Sequence, residues 1–72
     1  MNESELILQT VGAEIAMTLG VMYEGVQLNA LEMFDFHLFT DPETGSSFAG
    51  RDALHAQKRL RLVRERFSKE EG

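Results

Sequence analysis

All seven Lys and Arg residues of the chain lie between Arg51 and Lys69, and residues 1–50 hold none. Within that stretch Ala53, Ala56, Leu60, Val63 and Phe67 recur at alternating steps of three and four, the spacing of one apolar stripe on an amphipathic helix. Good helix formers fill the gaps, and neither Gly nor Pro interrupts them. Asp52 suits the N-cap or first turn, and Arg64, Arg66 and Lys69 suit the negative helix end. The sequence therefore predicts a C-terminal helix over 51–69. Its apolar side must be buried against something, and its other sides carry nearly all the positive charge.

Two leucines leave the stripe. At about 100° per residue, Leu54 and Leu62 fall well away from the line through Leu60 and Val63, and Leu62 lies almost opposite it. Single exposed leucines are ordinary. Leu62 lies among Lys58, Arg59, Glu65 and Arg66, and a leucine anchor ringed by arginines is also what a contact face for an acidic partner looks like. Leu54, Lys58, Arg59, Arg61, Leu62 and Arg66 are the candidate partner-binding residues.

The remaining chain has to supply the cover. Asn2 with Glu5 resembles a capping box, and a helix is expected from Glu3 to about Leu19. Its main stripe is Leu8, Val11, Ile15, Leu19 and Met22. Thr10, Glu14 and Thr18 make a narrow polar line, while Ile7, Ala13, Ala16 and Met17 widen the apolar part beyond one face. Such a helix is expected to be covered on more than one side, the second cover being another copy of itself. Gly12 suits close packing and Gly20 a C-terminal cap.

Residues 20–29 are read as an irregular connection, with the option of a short strand at 21–28. Gly25 weakens either form. Leu31 to Phe39 alternates apolar and polar residues as a half-buried strand does. Asp41-Pro42-Glu43-Thr44-Gly45 is a turn: Asp41 accepts from following N–H groups, Pro42 presets a type I turn and Gly45 closes it. Ser46 to Ala49 is the return strand. With Pro42–Gly45 as a four-residue loop, Phe39 stands opposite Phe48. On that register Phe34, Phe36, Leu38 and Ala49 are expected to face the helices. Phe39 and Phe48 then lie on the far side, beside Asp35 and His37. The fold expected is α+β, an α-β-β-α module with two helices packed on a hairpin, in one domain over 1–72 with 68–72 frayed.

Function classes narrow by chemistry. There is no cysteine, hence no thiolate site and no disulfide. His37 and His55 sit on different elements. Asp35 and His37 share a strand face without a convergent third group, so they read as a surface pair rather than a metal or acid–base site. No serine lies in a nucleophile elbow, and DPETG lacks the lysine of a phosphate-binding loop. No catalytic residue, metal ligand or cofactor is assigned, and no enzymatic activity is expected.

Charge divides by half. Residues 1–50 carry eight acidic groups and residues 51–72 carry seven basic and four acidic ones, giving −8 and +3 within a total of −5. The acidic body opposes phosphate, so a nucleic-acid binder working through Lys58, Arg59, Arg61 and Arg66 is the second reading. The first is a small regulatory or inhibitory adaptor that binds another protein, of a size and acidity compatible with a phage or mobile element. A purely structural, self-assembling subunit is the third. A chain of this size gains stability from oligomerisation, which favours a homodimer. No apolar run is long enough for a membrane span and MNESEL has no basic leader, so a cytoplasmic, membrane-free protein is expected.

Overall fold

The computed structural model describes residues 3–27 and 36–71. Helix α1 spans Glu3–Leu19, strand β1 Met22–Gln27, strand β2 Phe36–Thr40, strand β3 Ser47–Gly50 and helix α2 Ala53–Glu71. The strands form one antiparallel sheet in the order β1-β2-β3. Both helices pack on the same side of it, α1 chiefly over β1 and α2 over β3, and they meet each other only briefly. The α+β reading holds, with the optional strand present as β1. Asn2, Leu28, Asn29 and residues 31–35 of the expected first hairpin strand lie outside the described residues.

Each boundary has a local cause. Helix α1 carries Glu3 and Glu5 in its first turn and ends at Gly20, whose φ of 73° lets the Val21 N–H return to the Ala16 carbonyl at 3.0 Å. Strand β1 follows at once but is not regular. Tyr23 faces Phe39 and Gly25 faces Leu38, so Glu24 is an extra residue, and Gly25 adopts φ 119°. That bulge breaks the alternation along β1. Helix α2 starts where Asp52 caps it: the Asp52 carboxylate accepts from the His55 N–H at 2.8 Å and its carbonyl from the Ala56 N–H at 3.0 Å. His55 reaches back so that its Nδ1 accepts from the Arg51 N–H at 3.2 Å. The helix runs on to Glu71, two residues past its expected end.

The hairpin register is the expected one, with Phe39 paired to Phe48 and Thr40 to Ser47. The Asp41 N–H donates to the Ser46 carbonyl at 2.8 Å, and the Gly45 N–H donates to the Asp41 carbonyl at 2.7 Å. The expected face assignment is inverted. Phe39 is wholly buried and Phe48 nearly so, in a core with Ile15, Ala16, Ala56 and Leu60 beneath the helices. Phe36, Leu38 and Ala49 are half-buried on the other face. Tyr23 of β1 explains the inversion. Its ring packs 5.7 Å from Phe39 and 5.8 Å from His37, and its hydroxyl pairs with His37 Nδ1 at 3.0 Å. His37 is therefore a buried core residue, not a surface one: a histidine can be interior once its ring nitrogen has a partner. Phe39 and Phe48 complete the cluster, stacked at 5.3 Å and 26°.

Two residues leave their expected apolar stripes, Met22 and Ala53. In the single chain α1 is covered on one side only: Gly12, Ile15 and Ala16 are buried while Leu6, Ile7, Val11 and Met17 are exposed. Met22 belongs to β1 rather than to the α1 stripe. The α2 stripe behaves as expected through Ala56, Leu60, Val63 and Phe67, with Ala53 left exposed. Its approach to the sheet is very close. A methyl group on Gly50 would stand 2.8 Å from Ala56 Cα, so only glycine admits α2 at that point.

Candidate functional site

Helix α2 is locked over the hairpin by an ion pair that ties the turn to the helix. Asp41 is fully buried at the turn. Its carboxylate accepts from Arg64 Nε at 3.0 Å and from Arg64 Nη2 at 3.2 Å. It also accepts from the Glu43 N–H and the Thr44 hydroxyl, each at 3.2 Å. Arg64 further reaches Glu43 at 3.3 Å. The Arg64 hydrogen bonds hold the Asp41 carboxyl below the usual carboxylate range; burial opposes them, and the Glu43 N–H and Thr44 hydroxyl reinforce them. The turn role of Asp41 was readable in the sequence, but its pairing with Arg64, 23 residues away, was not. Arg64 thereby serves the fold rather than a partner.

The clamp leaves a cleft on the outer side of α2. It measures about 560 Å³ and runs between the β3 edge, Ser46 to Ala49, and the C-terminal half of the helix. Arg59, Leu62, Val63, Arg66 and Phe67 line its helical wall, together with Glu70 near the helix end. Leu62 is 56 % exposed although it faces this cleft. Among the described residues neither Arg59 nor Arg66 makes an ion pair, in contrast to Arg64.

No protein-family model, curated protein or solved structure matches this chain.

The six sequence-predicted contact residues do not share one surface. Arg59, Leu62 and Arg66 come together in the cleft. Leu54 is exposed on the opposite flank of α2, where it lines an open hollow together with Val11 and Ile15 of α1. Arg61 lies in the groove between the helices with Leu19 and Gln57. Lys58 is exposed and lines none of these hollows. The sequence reading missed Phe67 and the β3 edge as walls of the same cleft. The apolar stripe gives Phe67 to the core, whereas it is only half-buried. Among the described residues no group of three or more His, Asp or Glu converges to hold a metal ion, and no helix is long and apolar enough to cross a membrane.

Proposed function

We infer that this chain is a small protein-binding module that acts by surface complementarity, with Arg59, Leu62, Arg66 and Phe67 as the docking face. One observation carries the reading: an exposed leucine shares a cleft with two arginines that make no ion pair among the described residues, while the arginine that does pair internally lies outside that cleft. A central apolar anchor rimmed by cations is the pattern of an interface that selects an acidic partner. A regulatory or inhibitory adaptor is the role such a face fits.

The decisive experiment is capture of a partner from the native host by wild type and by Leu62→Asp, with circular dichroism and thermal melting on both. Capture should vanish in the variant while the melt stays near wild type. Undiminished capture by Leu62→Asp removes this face from the reading. Titration with a labelled DNA duplex and a single strand at low salt should stay flat. Binding lost steeply with added salt would instead support nucleic-acid recognition through the same arginines.

A further inference from the structure

We propose that the β3 edge is a strand-addition site, and that its ligand is an extended segment of another protein with the pattern acid–apolar–acid at every second residue. This rests on the docking face inferred above and names what that face would take.

Among the described residues nothing pairs with the outer edge of β3. The Asp41–Ser46 pair is hydrogen-bonded, so the alternation of an antiparallel ladder makes Phe39–Phe48 and His37–Gly50 hydrogen-bonded as well. Ser47 and Ala49 then sit in the intervening pairs, and their N–H and C=O groups point away from β2 along the free edge. Strand β3 carries no charge, proline or bulge, the usual devices that keep an edge from pairing. The outward main-chain groups of Ser47 and Ala49 form the sheet-side wall of the cleft whose other wall is Arg59, Leu62 and Arg66.

The ligand pattern follows from spacing. Arg59 and Arg66 are seven residues apart, about 10.5 Å along a helix, with Leu62 between them. An added strand presents same-face residues about 6.7 Å apart. Ligand residues hydrogen-bonded to Ser47 and Ala49 share their face and point away from α2. The residue opposite Phe48 then points toward the helix, beneath Leu62 and Phe67, and must be apolar. Its neighbours two residues away on either side reach Arg59 and Arg66 and must be acidic. Glu70, which also lines the cleft, leaves the two arginines in excess. A second copy of this chain fits less well, since pairing β3 with itself brings Arg59 and Arg66 of both copies together.

The probe is a labelled, capped peptide, Thr-Glu-Thr-Leu-Thr-Glu-Thr, read by fluorescence anisotropy and by amide NMR of the full chain. Saturable binding is expected, with the largest shifts and new exchange protection at Ser47 and Ala49. Replacing both glutamates by glutamine should weaken it at least tenfold. So should N-methylation of the two central threonines, which blocks the edge bonds alone. Ser47→Pro should do the same while melting near wild type, because that N–H lies outside the ladder. If the peptide binds but is indifferent to N-methylation and to Ser47→Pro, strand addition is overturned and the docking face survives. No peptide binding, with partner capture still abolished by Leu62→Asp, likewise overturns only the ligand chemistry. If Leu62→Asp leaves capture intact, both fall. Concentration-dependent shifts at Ser47 and Ala49 without peptide assign the edge to a second copy and overturn the proposal.

Discussion

Strand β1 closes the sheet with an extra residue at Glu24, a glycine at φ 119° and an exposed carboxylate, whereas β3 closes it with four regular residues and no charge. The helices differ in the same sense. Helix α1 has no basic residue in its last turn and leaves Leu6, Ile7 and Met17 in solvent. Helix α2 spends a narrow stripe on the core and presents arginines over the β3 edge. Bulges, glycine and charge are how proteins stop edges from pairing, so a chain that protects one edge and leaves the other regular differentiates its two sides. Among the described residues, the side that carries the cleft is the one without these devices.

The sharpest way to break this contrast is to displace α2. Gly50→Ala puts a methyl group 2.8 Å from the Ala56 backbone, which cannot yield without moving the helix. We expect a loss of about 3 kcal/mol in urea unfolding. A loss below about 1 kcal/mol would mean that α2 does not seat on β3 this closely. The matching change on the other edge is Gly25→Val, which forces a branched residue into the φ of the bulge. It should cost about 2 kcal/mol and increase self-association at high concentration if the bulge is what blunts β1. Unchanged sedimentation despite that loss would show that the bulge is not protective.

A third test concerns the clamp that positions the cleft. Because Arg64 lowers the folded-state pKa of Asp41, the pair stabilises the fold above the unfolded carboxylate value of about 3.9. That contribution is lost as pH falls through the lower folded value. The melting-temperature difference between wild type and Asp41→Asn should be full at neutral pH and close below about pH 4. A difference that persists unchanged at low pH would show that Asp41 acts as a shape and not as a charge. The smallest effect is expected for Leu62→Asp, whose stability should lie within about 0.5 kcal/mol of wild type, as for other exposed sites. A larger loss would make Leu62 part of the core and remove the cleft's anchor.

Much of the fold could be read from residue spacing. The α2 stripe, the Asp52 cap and the Phe39–Phe48 register each follow from local chemistry: a helical period, an N-cap acceptor, and a turn shaped by Asp41, Pro42 and Gly45. Which face the sheet buries was not local. Both faces offer large apolar residues, Phe39 and Phe48 on one and Phe36 and Leu38 on the other, and His37 reads as a marker of solvent. The deciding residue is Tyr23, whose hydroxyl satisfies His37 inside the core. Tyr23 sits on a strand whose bulge hides its period. The candidate site was half legible for a similar reason. Angular position on α2 isolates Leu62 and its arginines, but cannot reveal that β3 forms the facing wall or that Leu54 and Arg61 turn toward α1.

The buried Asp41 carboxylate also orders events during synthesis. The hairpin leaves the ribosome before the helix does, yet its turn encloses an anion whose cation, Arg64, has not been translated. Until that arginine arrives, the carboxylate has only the Glu43 N–H and the Thr44 hydroxyl of its own turn as partners, so the hairpin should reach its full stability only when the basic helix emerges.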